Sequence, residues 1–424
     1  MRGAVAGGLL VWFLLGLLLA APANAGDPED PGNFNPAPSG SGRYVAFDSM
    51  ATNLPGNDAV REIFVRDLRT GKTKLVSKTS AGDTLEDHSY SASISGSGRY
   101  VAFESGADNL PGDDGHQNVY VHDRRTGKTK LVSKSSAGVP ADRPSFRPAL
   151  SRSGRYIGFA SSPGTLPGVN AFQQIYVHDR KTGKTRLVSK TSDGAPGDGF
   201  SYEAAISSSG RHVAFYSDAD NLPGDDAFLD VYVHDRKTGN TRLVSKTSDG
   251  AVPDQNSFTP SISSSGRHVS FMSQADNLPG EDGTADVYIH DRKTGKTRLV
   301  SKSSAGAPAD VGSTNPSISG SGRYVAFSSQ ASNLPGGDGS TTQVFVHDRK
   351  TGTTRLVSQT SAGTAADDGC FASAISRSGR VVSFYSFADN LPGADLFSNV
   401  YARDRKTGKT KLVSRNSAGE PVNG

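Results

Sequence analysis

The stretch SGRYVAFESGADNLPGDDGHQNVYVHDRRTGKTKLVSKSSAG, Ser97 to Gly138, decides how the whole chain is read. It opens on a Gly-Arg pair and runs through an apolar segment to Phe103. A loop around Leu110-Pro111-Gly112 follows, then a second apolar segment ending in His122-Asp123. A turn at Thr126-Gly127-Lys128 leads to a last segment, Leu131-Val132-Ser133. The same order recurs along the chain. Its marker stands at Gly42-Arg43, Gly98-Arg99, Gly154-Arg155, Gly210-Arg211, Gly266-Arg267, Gly322-Arg323 and Gly379-Arg380, the glycines 56 residues apart with one step of 57 before the last. A fixed period of this size marks a repeat architecture, in which each unit buries its apolar surface against its neighbours.

Each repeat contains four strand-like segments. In the fifth they are Phe258–Ser263, Arg267–Ser273, Asp286–Asp291 and Thr297–Lys302. All are short, rich in Val, Ile, Phe and Tyr, and bounded by Gly, Pro, Ser and Asp. No segment holds a helical period long enough to bury a face. Four strands in each of seven units predict an all-β chain, a seven-bladed β-propeller of four-stranded antiparallel blades. The rival β-solenoid is built from much shorter rungs. The expected blades span about 26–82, 83–138, 139–194, 195–250, 251–306, 307–363 and 364–424. The first strand of blade one starts at Phe34, and the fourth strand of blade seven ends at Ser414. The ring is therefore expected to close by packing of whole blades, with the short tails as candidates to supplement it.

Ahead of the repeats, Arg2 precedes an apolar run from Ala4 to Ala21 and the small-residue pattern Ala23-Asn24-Ala25. This reads as a secretory signal peptide over 1–25, with the propeller occupying 26–424, and predicts a secreted or periplasmic protein with no membrane span after cleavage. Cys370 is the only cysteine in 424 residues, so no intrachain disulfide can form and packing must hold the fold. The formal charge of +4 is small for this length and, with export, argues against a nucleic-acid partner.

In an up-and-down blade the Ser-x-Ser-Gly-Arg turn and the Asp-Arg-Lys-Thr-Gly-Lys turn fall on one face. The variable Asn-Leu-Pro-Gly loop and the segment leading to the next blade fall on the other, where function is expected. The short-turn face is basic, and Lys and Arg there discourage edge pairing. The long-loop face carries Asp113, Asp114, Asp225, Asp226, Glu281 and Asp282.

Several motifs read as architecture. The Arg after each turn glycine should meet the Asp closing strand three: Arg43 with Asp67, Arg99 with Asp123, Arg155 with Asp179, Arg211 with Asp235, Arg267 with Asp291, Arg323 with Asp348 and Arg380 with Asp404. Seven equal copies are a poor way to build one active site. His122, His178, His234, His290 and His347 share a position that is Arg66 and Arg403 in the end blades, so they are not specific metal ligands. The GKT of each turn lacks the earlier glycine of a P-loop, and no G-x-S-x-G elbow occurs.

The long loops present oxygens at recurring spacing: Asn53, Asp58 and Glu62; Asn109, Asp114 and Asn118; Asn221, Asp226 and Asp230; Asn277, Asp282 and Asp286; Asn390, Asp395 and Asn399. Such a set suits calcium, but Thr165, Asn170 and Gln174 in blade three carry no charge. Loop hydrogen bonding is the preferred reading, and no cofactor is expected.

The residue after the aromatic of strand one differs in most blades. These positions and their neighbours should converge where first strands meet long loops, and Asn35, Arg147, Tyr202, Glu203 and Asn315 are the candidate ligand-binding residues. Arg147 and Glu203 lie in adjacent blades, which fits an interblade ion pair or part of a mouth. No catalytic or metal residue is assigned.

The run P-x-I-S, Ser97–Ser105 (SGRYVAFES), NLPG-x-D, VYVHD and LVS resembles the WD40-like repeats of TolB-type bacterial propellers over nearly all of the chain after residue 25. The resemblance implies an exported propeller used mainly for binding proteins. The usual Pro-Asp-Gly turn is Ser-Gly here. TolB itself has six blades and an N-terminal α/β domain, so its role in the Tol–Pal system does not transfer. Other seven-bladed relatives, the prolyl oligopeptidases, need a hydrolase domain that is missing here. The expectation is a non-enzymatic propeller that binds a protein or glycan through its long-loop face. The alternative is a propeller-fold polysaccharide lyase or glycoside hydrolase, for which Glu203, Arg147, Tyr202 and Glu86 are the non-repeating candidates. A structural envelope protein is a third reading.

Overall fold

Strands two and three of every blade are buried on both faces, which is why they read as almost unbroken apolar runs. In the computed structural model, blade one is Phe34–Pro38, Tyr44–Ser49, Glu62–Asp67 and Thr73–Leu75, hydrogen-bonded in that order. Six further four-stranded antiparallel sheets repeat it, giving a seven-bladed propeller. The structure describes residues 33–423 apart from 57–59, 113–114, 169, 225–226, 281–282 and 396. The signal-peptide reading of 1–25 and the loop acids Asp58, Asp113, Asp114, Asp225, Asp226, Glu281 and Asp282 lie outside the described residues. Among the described residues, no helix is long and apolar enough to cross a membrane.

The RYVAF motif explains the packing. Val101 and Phe103 share a core with Ala46, Ile63 and Val65 of blade one. Ala102, on the opposite face of the same strand, joins Ile157 and Phe159 of blade three. Each interface therefore sets a large Val-Phe or Ile-Phe face against the small Ala, Gly or Ser of the preceding blade, so the layers interdigitate. The seam between blades seven and one is built alike, from Val45, Phe47 and Phe64 against Val400, Ala402 and Val413.

The turn glycines complete each interface. Gly98 has φ 76°, and a Cβ there would lie 2.3 Å from a ring carbon of Tyr44 in blade one. A side chain is excluded both by the left-handed backbone and by the neighbour's ring. Arg124 lies over the same Tyr44 ring at 4.6 Å, and Arg180 over Tyr100 at 4.0 Å, adding a cation–π clamp between blades.

All seven expected Arg–Asp pairs form. Arg43 donates through Nε to Asp67 Oδ1 at 3.0 Å and through Nη2 to Oδ2 at 2.6 Å, and its six counterparts close to 2.6–2.7 Å. The arginines sit one residue before strand two rather than opening it, since the ladder begins at Tyr44↔Asp67. The shared histidine position ties strand four to the neighbouring blade. His122 Nδ1 meets Thr129 Oγ1 at 2.9 Å, and that threonine donates to Lys78 O of blade one at 2.5 Å. Arg66 and Arg403 reproduce the contact through Thr73 and Thr410, both at 2.8 Å.

Two devices close the ring: a circle of backbone bonds that the repeat pattern did not show, and the C-terminal tail, one of the two expected candidates. Around the axis at the short-turn face, Gly40, Gly96, Arg152, Ser208, Ser264 and Gly320 each donate a backbone N–H to the next blade's carbonyl, at 2.9–3.3 Å. The circle is completed by Ser378 N–H to Gly40 O at 3.0 Å, one residue out of step, so the slip falls at the seam. At the periphery, the C-terminal tail takes the place of an interblade linker. Arg415 and Asn416 present carbonyls to Arg66 at 2.9 and 3.0 Å, Ser417 donates to Thr73 O at 3.1 Å, and Pro421 accepts from Asn53 Nδ2 at 2.9 Å. The tail thus clasps blade one as each linker clasps the blade that follows it.

Candidate functional site

First strands line the axis, and each carries a one-residue bulge. In blade four Tyr202 pairs with Tyr216, whereas Ala205 pairs with Ala214, so an extra residue is inserted between them. The bulge falls at the variable position in every blade. Asn35, Ser91, Arg147, Glu203, Thr259, Asn315 and Ala372 all have φ between 45° and 55°. Left-handed backbone costs an L-residue about 1–2 kcal/mol, and Thr259, being β-branched, is held there against its own preference. The insertion also breaks strict alternation, so successive residues such as Glu203 and Ala204 both face the axis. The result is an axial cavity of about 590 Å³, walled by all seven blades, a volume suited to a small ligand or to the tip of a larger one.

Of the residues singled out from the sequence, Asn35, Arg147, Glu203 and Asn315 line this cavity. Arg147 and Glu203 form an ion pair across blades three and four, both partly exposed. Tyr202 is set beside the cavity, its ring 5.1 Å from Tyr216 and 6.2 Å from Phe200. Glu86 is exposed in the segment between blades one and two.

Other residues at the site were missed. Asp48, wholly buried, accepts from Phe34 N at 3.1 Å and Asn35 Nδ2 at 2.9 Å, with Arg61 Nη1 at 3.8 Å. Glu104, also buried, accepts from Ser91 Oγ at 2.9 Å and Arg147 N at 2.5 Å. Burial pushes both carboxyl pKa values up, against the opposing pull of Arg61 on Asp48 and of the Arg147 amide on Glu104. These two carboxylates hold the side chains of Asn35 and Ser91 and the backbone of Arg147 in place. The available signal was the penultimate position of strand two, acidic only at Asp48 and Glu104 and otherwise Ala160, Tyr216, Met272, Ser328 or Tyr385. Phe371 and Tyr385 supply an aromatic wall in blade seven, their rings 5.5 Å apart.

The asparagines of the recurring loop sets tie the chain to itself through their amide nitrogens. Asn109 Nδ2 donates to Thr84 O at 2.9 Å, Asn221 to Pro196 O at 2.9 Å, Asn277 to Val252 O at 2.8 Å and Asn390 to Ala365 O at 2.8 Å. Asp395 Oδ1 accepts from Asn399 Nδ2 at 2.7 Å. Each asparagine pins its loop to the linker entering the blade. Among the described residues, no three His, Cys, Asp or Glu side chains gather to hold a metal.

No protein-family model and no curated protein matches this chain. Similarity is found among solved structures. The β-propeller domain of the Trilobed protease from Pyrococcus furiosus, described as having an open velcro topology, superimposes with a TM-score of 0.59 at 12% identity, over 91% of this chain and 99% of that one. A prolyl endopeptidase gives a TM-score of 0.56 at 14% identity over 92% of this chain, which spans 51% of that enzyme. TolB from Acinetobacter baumannii gives 0.44 at 14% identity, over 93% of this chain and 87% of that one. At these identities the likeness carries the fold alone. The chain is a β-propeller structurally similar to the propeller domains of peptidases.

Proposed function

We propose that this chain is an exported, non-enzymatic binding propeller of the WD40-like, TolB-type repeat family, which holds a protein or glycan at the long-loop mouth of its axial cavity. One observation carries the reading: seven wall positions share one backbone conformation yet bear six different kinds of side chain, from amide and hydroxyl to cation, carboxylate and methyl. A purely architectural ring has no need of that diversity. The Arg147–Glu203 pair offers a donor and an acceptor side by side on the wall, Asn35 and Asn315 add amides, and Phe371 and Tyr385 add an apolar surface. Many equivalent contact positions and few convergent acid–base groups favour recognition over bond cleavage. The export component rests on the Met1–Ala25 stretch.

The test is capture from envelope extract and on a glycan array with the chain lacking residues 1–25, beside an Arg147→Ala/Glu203→Ala variant. Removing both charges leaves neither one orphaned at the wall. Capture lost in the variant supports the mouth as the contact site; equal capture by both proteins refutes it. Reproducible glycan cleavage abolished by Glu203→Gln would replace binding with catalysis.

A further inference from the structure

The axis has a second end, at the short-turn face. The backbone ring there carries, in blade order, Gly40, Gly96, Arg152, Ser208, Ser264, Gly320 and Arg377. Only two of these positions bear a charge, and both are arginines. Arg377 starts in blade seven and crosses the axis, donating through Nη1 to Ser208 Oγ at 2.7 Å in blade four and to Ser264 Oγ at 3.3 Å in blade five. The glycines of the ring lie against the two arginine stems. A Cβ on Gly40 would lie 3.5 Å from Arg377 Cδ, and one on Gly96 would lie 2.8 Å from Arg152 Cγ. The two stems therefore lie over neighbouring positions of one glycine arc and bring both guanidiniums to the same end of the axis.

Among the described residues neither arginine has a carboxylate within salt-bridge distance, in a chain where all seven turn arginines have one. Arg377 Nε and Nη2 also find no acceptor among the described residues. The arginine is half-buried, and burial together with the Arg152 charge lowers its pKa. Two like charges at one end of the axis, with no counter-charge among the described residues, are an arrangement that an anion relieves, and the planar guanidinium fork matches the oxygen spacing of phosphate and sulfate.

We propose that Arg152 and Arg377 form a single oxyanion site on the propeller axis at the short-turn face, taking a phosphate or sulfate group. The basic turns around it, among them Lys128, Lys184, Lys237 and Lys296, attract such a ligand without selecting it. The site is independent of the long-loop mouth, so the two proposals stand or fall separately.

The experiment is calorimetric titration and thermal melting with inorganic phosphate at constant ionic strength, chloride making up the difference. It uses the chain lacking residues 1–25 and the variants Arg152→Ala, Arg377→Gln and, as control, Lys237→Ala. Arg152 is exposed and makes no side-chain hydrogen bond among the described residues, so its variant should fold normally. The expected result is saturable phosphate binding, one site per chain, with a rise in Tm. Affinity falls about tenfold or more in either arginine variant and changes little in Lys237→Ala. Polyphosphate distinguishes the source: tighter binding that still needs both arginines points to a polymer-borne group, and equal affinity per site points to the free anion. A phosphate response no larger than that of chloride overturns the proposal. So does phosphate or polyphosphate binding indifferent to both arginine variants, which would mean diffuse attraction by the basic turns.

Discussion

Blade two contains two turn glycines with nearly the same backbone and opposite surroundings, and substituting each by alanine separates strain from packing. Gly98 has φ 76° and Gly127 has φ 71°. A Cβ at Gly127 meets nothing within 4 Å, whereas one at Gly98 would fall 2.3 Å from a ring carbon of Tyr44. Both variants carry the cost of left-handed alanine, about 1–2 kcal/mol, offset in both by the stiffer unfolded chain. Only Gly98→Ala must also displace a ring that sits beneath Arg124, an overpacking cost of about 1–3 kcal/mol. The expected difference between the two is therefore about 1–3 kcal/mol, or roughly 1–4 °C in Tm for a chain of this length. Urea unfolding reads it as a shift in midpoint at constant m. In a Tyr44→Ala background the extra penalty at Gly98 should disappear. Equal midpoints for the two glycine variants would refute the reasoning, as would an extra penalty at Gly98 that survives the loss of the ring.

Acid should weaken the fold in two stages. Burial lowers the pKa of His122, His178, His234, His268, His290 and His347 to about 4, so their contribution is complete above about pH 6.5 and is lost as pH falls toward 4, at about 1.4 kcal/mol per pH unit for each. His234→Gln should flatten that slope in a Tm–pH profile, and an unchanged slope would contradict the burial reading. Below about pH 4 the turn carboxylates follow, since their arginine partners hold them under the usual carboxylate range, Asp123 and Asp348 at about 2. Deleting residues 415–424 should lower Tm more than Ser417→Ala does, because buried Arg66 loses both its tail carbonyls and the seam loses its clasp; a truncated chain melting at the original temperature would refute the clasp. Thr259→Gly should raise Tm slightly, since it relieves a β-branched residue at φ 47° whose hydroxyl has no partner; a fall in Tm would show that the strain is illusory.

The repeat period made the blade count, strand order and Arg–Asp register legible, because each is a statement about equivalent positions. What escaped is what equivalence hides. Asp48 and Glu104 sit where most blades place an uncharged residue, and only the bulge brings them against Asn35, Ser91 and Arg147. Alternation of apolar and polar residues cannot reveal an inserted residue, since the insertion breaks the very period being read. Arg377 stands at the unspecified position of the Ser-x-Ser-Gly-Arg turn, where the other blades place Gly, Ser or Arg, and its reach to Ser208 and Ser264 spans 169 and 113 residues of sequence. The tail was a candidate for closure, but its partner was not legible: residues 415–421 keep the linker pattern and dock on the first blade, more than 340 residues away in sequence.

The ring of left-handed residues separates two roles that a single blade cannot. Strain at one position of one enzyme is commonly a mark of function, but here it recurs in all seven blades and so belongs to the architecture. The bulge is the means by which a first strand turns adjacent side chains toward the axis. What differs between blades is only the side chain placed there, and the differences are not spread evenly. Charge on the wall is confined to blades three and four, through Arg147 and Glu203, with Asn35 and Ser91 polar beside them in blades one and two, whereas blades five to seven offer Thr259, Asn315, Ala372, Phe371 and Tyr385. A sevenfold backbone thus carries a one-sided cavity, polar and charged on one arc and neutral to aromatic on the other. A ligand bound there would sit in one orientation rather than seven, which is the condition a symmetric repeat must break before it can recognise an asymmetric partner.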